Sequence, residues 1–251
     1  MIIINSWYGR LGNNIQQLSN IIHIAIAYKH NIKFNTDKHT FIDISVITEY
    51  FNKYNNSEII IDNHTNFFNR NKLIIPQHIY TQNHEERNKI LKKAFLINDI
   101  DKLPENDLVV HIRSGDIFSN CVHPNFVPPP LSYYIKEIEK CKYQKIHIIS
   151  EDTLNPVVNK LLGLYKNAVY HKNTLEKDIR IILGATNILY SIGSFIPSLM
   201  MLSSNIKFIH KKFILHGENE EYSKIMYPWK NTIKQKDYIL TYKINSTNKK
   251  D

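Results

Sequence analysis

Leu108-Val109-Val110-His111-Ile112-Arg113-Ser114-Gly115-Asp116 is the stretch that decides how this chain is read. Its first three residues are the continuous apolar run of a strand covered on both faces, and after them only Ile112 breaks a polar series. A histidine, an arginine and an acid therefore stand at the carboxyl end of a core strand, where open α/β sheets take their ligands. A guanidinium placed there grips a diphosphate through two parallel charge-assisted hydrogen bonds, each worth about 1.5–3 kcal/mol. The same letters also spell an ordinary strand end before a glycine turn, so the hexad needs a second signal.

Downstream of the hexad, strand and helix signals alternate. Pro128–Pro130 mark a loop, and Leu131, Tyr134, Ile135, Ile138 and Cys141 form a helical face. Ile146–Ile149 reads as a strand. Asn155 before Pro156 is a cap and first-turn pair, with Val158, Leu161, Leu162 and Tyr165 at helical spacing behind it. Ala168–Tyr170 is the next strand, and Asn173 with Glu176 spells a capping box ahead of Ile179, Ile182 and Leu183. Asn187–Tyr190 and Ile206–Ile209 supply further strands around a Pro197–Leu202 helix. This alternation predicts a parallel sheet of nucleotide-binding type.

The first hundred residues are less regular. Ile2–Ile4 is a strand, and Gly9, Arg10, Leu11, Gly12, Asn13 and Asn14 open a helix whose Ile15, Leu18, Ile22, Ala25 and Ile26 share a face. A strand, a glycine turn and a helix in that order aim backbone N–H groups at an anion. Two glycines satisfy neither the dinucleotide fingerprint nor the Walker loop. Ile32–Phe34, Ile59–Ile61 and Leu73–Ile75 read as strands, and Asn83–Leu96 as a polar helix with one apolar stripe. Asp99, Asp101, Pro104 and Asp107 mark a boundary, giving lobes over 1–105 and 106–242 and a polar tail over 243–251.

Taken in order, GRLGNN (Gly9–Asn14), HIRSGD (His111–Asp116), VPPPLSYY (Val127–Tyr134), ISED (Ile149–Asp152) and SIGSF (Ser191–Phe195) make a pattern that resembles the fucosyltransferase superfamily, nearest its alpha-1,2 branch. The resemblance implies an α/β, GT-B-like fold with two Rossmann-type lobes whose parallel sheets face a cleft. It implies that Arg113 binds the β-phosphate of GDP-fucose, that His111 lies near the nucleoside and that Asp116 holds the loop or the arginine. Gly9, Arg10, Gly12 and Asn13 then face donor phosphates and acceptor from the first lobe. Asp178 reads the guanine, and Ser194 with Phe195, in the segment opened by Ser191, touches the phosphates. The chain departs from the pattern at Ser114, where a second arginine is usual, and at Ile196 and Pro197, where a serine and aromatics are usual.

Transfer of a sugar from such a donor requires stabilisation of the departing diphosphate, which a fixed cation and N–H groups provide without a metal or other cofactor. Asp116, Glu151 and Asp152 are the candidates for a base, and spacing does not rank them. Glu151 and Asp152 also suit donor hydroxyls or the cap of the next helix. The implied partners are GDP-fucose and a glycan acceptor. Within the same fold, another GDP-linked deoxysugar as donor and a noncatalytic glycan- or nucleotide-binding relative stay open.

The composition sets outer bounds. With 251 residues, 43% of them hydrophobic, the chain has enough material for two lobes. Its net charge of +9, from 32 basic and 23 acidic residues, suits polyanions, anionic membrane faces and nucleotide sugars alike. A basic nucleic-acid-binding protein is the rival from another class, but no RNA-recognition signature is present and the aromatics are not interleaved with a basic run. Two cysteines, Cys121 and Cys141, are too few for a disulfide framework. A reducing, cytoplasmic setting is the simplest reading, with one bridge and a peripheral membrane contact left open. A strand at Ile2–Ile4 argues against a cleaved signal peptide. The uncharged stretch Ile181–Leu202 fits a buried helix, strand and helix better than a span, because polar residues and Pro197 interrupt it. Asp99-Ile100-Asp101 copies the spelling of metal-dependent transferases but falls in the linker, where a solvated turn is expected. No zinc spacing occurs, and His84 with Glu85 and Glu86 lacks a second histidine.

Overall fold

The computed structural model describes residues 1–54, 60–62, 83–118, 128–210 and 232–237. In chain order the elements are β1 (Ile2–Ile4), α1 (Leu11–Tyr28), β2 (Ile32–Phe34), α2 (Ile44–Phe51), β3 (Ile60–Asp62), α3 (His84–Ala94), β4 (Leu108–His111), α4 (Leu131–Ile138), β5 (Ile146–Ile149), α5 (Pro156–Leu164), β6 (Ala168–His171), α6 (Leu175–Gly184), β7 (Asn187–Tyr190), α7 (Phe195–Met200) and β8 (Phe208–Ile209). The chain is thus an α/β protein, and among the described residues every strand pair in the two sheets is parallel. It divides into two compact units, one of Met1–Asp99 with Ser194–Ser203 and the other of Ile100–Gly193 with Ser204–Asp251.

The first unit has the strand order β2-β1-β3, with Ile2 opposite both Ile32 and Ile60. Helix α1 buries Ile15, Leu18, Ile22 and Ala25 of the expected face and Ile21 beside them, while Ile26 is only half-buried. Each such aliphatic side chain, fully buried, contributes about 1.5–3 kcal/mol. The helix stops at Lys29, which turns left-handed at φ 54°. Helix α2 begins where the Asp43 carboxylate accepts the Ser45 N–H at 3.0 Å. Helix α7 belongs to this unit because Gly12 on α1 lets the two helices touch backbone to backbone. A Cβ at Gly12 would stand 2.7 Å from Cα of Phe195.

The second unit has the order β6-β5-β4-β7-β8. Leu108, Val109 and Val110 of central β4 are completely buried, which is why the strand reads as an unbroken apolar run. The chain builds outward from β4 to β5 and β6, then returns to lay β7 on the other edge of β4. Strand order reverses at that point, and the crevice outside the carboxyl ends of β4 and β7 is where such sheets bind ligands.

Several sequence expectations shift. Asn155 does cap α5, accepting the Val157 N–H at 3.0 Å. The cap of α6 is Thr174 rather than Asn173, whose amide instead donates to Asp178 at 3.1 Å. The strand expected at Ile206–Ile209 is confined to Phe208–Ile209, and the proline-containing helix begins two residues earlier than its proline suggests, at Phe195. The strand expected at Leu73–Ile75, Ile59, Cys121 and the polar tail lie outside the described residues. Among the described residues no helix is long and apolar enough to cross a membrane.

Candidate functional site

The backbone of β4 stays paired to its end on both sides. Ile112 N–H donates to Ile149 O at 2.9 Å, and Ser191 N–H donates to His111 O at 3.0 Å. The chain then peels away at Arg113 and turns through Gly115, whose φ is +59°. A side chain there would be strained and would also meet the Glu151 carboxylate, 2.6 Å from where a Cβ would lie. Asp116 follows, and its two oxygens accept from Nε (3.2 Å) and Nη2 (2.8 Å) of Arg113. This bidentate pair fixes the plane of the guanidinium. Nη1 points at Gly193, the residue three past the end of β7, whose φ of +103° also favours glycine. The sheet thus brings the arginine of the hexad and the glycine of the SIGSF segment to the crevice between β4 and β7.

A second set of bonds locks the hexad from beneath. Ser114, 1% exposed, donates its hydroxyl to Asp152 and accepts the Asn155 N–H at 2.9 Å. The same oxygen of Asp152 accepts from Leu154 N (2.9 Å) and Gly115 N (3.4 Å). Asn155, fully buried, donates its side-chain amide to Arg113 O at 3.0 Å while capping α5. Ser114 therefore ties the arginine's turn to the loop after β5. Asn155 was legible as a helix cap, but its grip on Arg113 depends on a partner 42 residues away.

Burial tunes His111 and Asp178. Desolvation, reinforced by the Arg113 charge, pushes the His111 ring down to about 4, so it is neutral at physiological pH. Desolvation also pushes the Asp178 carboxyl up to about 6 against the opposing hydrogen bond from Asn173. Ser191 is completely buried beneath the end of β7, and the Tyr133 hydroxyl donates to Tyr190 O at 3.0 Å beside it. Glu151 is exposed next to Gly115.

The glycine-rich segment forms a separate group in the first unit. Gly9 has φ +67° and packs on the Asn13 amide. Asn13 Oδ1 accepts from the Ser194 hydroxyl, and Ser198 Oγ donates to Gly12 O at 2.7 Å. Asn14 donates to Tyr8 O at 2.9 Å, and Gln17 both donates to Ser6 O and accepts from Tyr8 N. Arg10 is exposed at the start of α1. Gly9, Gly12, Asn13, Ser194 and Phe195 are thus assembled around the α1–α7 contact. Asn14, named in the GRLGNN motif but given no role from sequence, and Gln17, which sequence did not single out, shape the loop.

Asp101 is no solvated turn. Its carboxylate pairs with Lys177 at 2.7 Å and Arg180 at 3.7 Å, clamping the linker to α6. Among the described residues no group of three His, Cys, Asp or Glu side chains is arranged to hold a metal ion.

No protein-family model matches the chain, and no curated protein matches it. Solved structures are similar to it. A crystal structure of POFUT1 in complex with GDP matches with a TM-score of 0.48 and 9% identity over 84% of this chain and 97% of that one. POFUT1 in complex with GDP-fucose matches with a TM-score of 0.45 and 11% identity, at the same coverage of both chains.

Proposed function

We propose that the crevice outside β4 and β7 binds the diphosphate of GDP-fucose, and that the protein is an inverting, metal-independent glycosyltransferase that moves fucose to a glycan hydroxyl. The observation that carries this reading is the placement of Arg113, which stands at the reversal of strand order with its plane set by Asp116 and Nη1 turned toward the side-chain-free face of Gly193. Preorganised cations of this sort stabilise charge that develops in a transition state, commonly by about 2.7–4 kcal/mol per donor. The HIRSGD motif and its companions, with their resemblance to fucosyltransferases of the alpha-1,2 branch, supply the choice of donor and linkage.

In the reaction the acceptor oxygen bonds to the anomeric carbon as the bond from that carbon to the β-phosphate oxygen breaks. GDP departs with the electron pair, and Arg113 neutralises the charge growing on it. The acceptor proton passes to a carboxylate, for which exposed Glu151 is suited, since both oxygens of Asp116 are held by Arg113 and Oδ1 of Asp152 is engaged by three donors. His111, neutral and beside Arg113, offers the nucleoside an uncharged hydrogen-bonding edge. Asp178 is the acid that reads the guanine N–H groups.

Calorimetry with GDP, GDP-fucose, GDP-mannose and UDP-glucose, followed by a transfer assay with and without a chelator, tests the reading. Micromolar binding of GDP-fucose and chelator-insensitive turnover are expected. Preference for UDP, or no GDP binding below millimolar, overturns it. GDP binding without fucose transfer overturns the enzymatic part and favours a binding relative.

A further inference from the structure

A cluster on the second unit's sheet takes no part in the site above. His147 on β5 donates from Nε2 to Asp107 at 3.0 Å, and its Nδ1 lies 2.9 Å from Nε2 of His171 on β6. The two rings are 18° from parallel, but 2.9 Å between nitrogens is too short for face-to-face stacking, so the imidazoles meet edge to edge. His147 and Asp107 are 7% and 4% exposed in their side chains. Oδ1 of Asp107 is buried and has no hydrogen-bond partner among the described residues. His147 and Asp107, though not His171, line an open cavity of about 560 Å³ with Leu103, Gln144, Lys145 and Asn167.

We propose that His147 and His171 form a two-imidazole site for a divalent transition-metal ion, with Asp107 holding His147 in position. A carboxylate that accepts one ring N–H of a histidine leaves the lone pair of the other nitrogen free for a metal, the usual support behind such ligands. At metal–nitrogen bonds of about 2.0–2.1 Å, nitrogens 2.9 Å apart subtend roughly 90°. That is the cis angle of tetragonal Cu²⁺ or Ni²⁺, reached when both rings swing so that their lone pairs converge. Opening the pair to about 3.3 Å gives the tetrahedral angle of zinc. No proton is gained or lost, since His171 only moves its N–H from Nε2 to Nδ1 as water completes the coordination. The inference does not depend on the proposed transferase activity.

The test is calorimetric titration of the untagged full chain, stripped of metal, with Ni²⁺, Zn²⁺ and Mg²⁺. One saturable Ni²⁺ site is expected, with Zn²⁺ no tighter and Mg²⁺ silent. His171→Gln, at the sheet edge, should weaken Ni²⁺ binding at least about tenfold, and Asp107→Asn about 10- to 100-fold. No saturable Ni²⁺ binding by the wild type, or equal binding by His171→Gln, overturns the proposal. A readout that needs no variant is paramagnetic broadening of imidazole signals by substoichiometric Cu²⁺. Signals of His147 and His171 should vanish first, and earlier loss of any other histidine overturns the proposal.

Discussion

Nη1 of Arg113 occupies the space that any side chain on residue 193 would claim, since a Cβ at Gly193 would stand 2.8 Å from it. The glycine is required twice over, for its φ of +103° and for the guanidinium it admits. Gly193→Ala should therefore cost about 1–3 kcal/mol in backbone strain and push Arg113 out of its plane. Urea denaturation and transfer kinetics check this together. A drop of at least about tenfold in kcat/KM is expected, and unchanged kinetics would separate the glycine from the arginine's task.

Arg113→Lys keeps the charge and loses the fork. If the leaving diphosphate is held by two parallel bonds, transfer should fall at least about 100-fold, equivalent to about 2.7 kcal/mol at the barrier. Asp116→Asn tests the same geometry from the other side. Asp116 is 46% exposed, so its loss should change stability by no more than about 1 kcal/mol. Its effect should appear in kcat, because a misplaced guanidinium meets the diphosphate in the wrong plane. Wild-type turnover in Arg113→Lys would remove the arginine from the mechanism.

The parts of this molecule that were legible in its sequence are those fixed by neighbours along the chain. Leu108–Val110 announced a strand buried on both faces, Ile15, Leu18, Ile22 and Ala25 announced the inner face of α1, and Asn155-Pro156 announced the start of α5. The features that escaped depend on distant partners. The stretch Pro197–Leu202 reads as a helix but does not show that its true start, at Phe195, packs on Gly12, far upstream. Asn173 and Thr174 both have capping side chains, and only the buried Asp178 decides that the asparagine is used elsewhere. Ser114 read as a departure from a motif because its partners, Asp152 and Asn155, come from the loop after another strand.

That loop contact makes its own prediction. Ser114→Ala strips the buried Asn155 N–H of its acceptor and the half-buried Asp152 of a donor. The cost should be about 1–3 kcal/mol by urea denaturation. Asp152→Asn should cost a similar amount, and the double variant less than the sum because both act on one network. If Ser114→Ala is neutral while transfer is lost, the hydroxyl serves the substrate and not the turn.

Asp178 and His111 respond to pH with opposite sign. Asp178 has its folded pKa raised from 3.8 to about 6, so the folded chain holds a proton that the unfolded chain has released between those values. Its contribution to stability is full below about pH 4 and is lost as pH rises through 6. His111 is lowered from 6.5 to about 4, so the unfolded chain binds the extra proton in that interval. Its contribution is full above about 6.5 and is lost as pH falls toward 4. Relative to wild type, Asp178→Asn should gain stability above pH 6, and His111→Gln should lose most there, both differences shrinking toward pH 4. The diphosphate of GDP-fucose has no group that titrates near pH 6, so it gives a clean probe of the ionised carboxylate. If Asp178 reads the guanine, affinity for GDP-fucose should weaken about tenfold for each pH unit below 6, and Asp178→Asn should abolish that slope. A wild-type affinity that stays flat from pH 7 to 5 would take Asp178 out of the donor site.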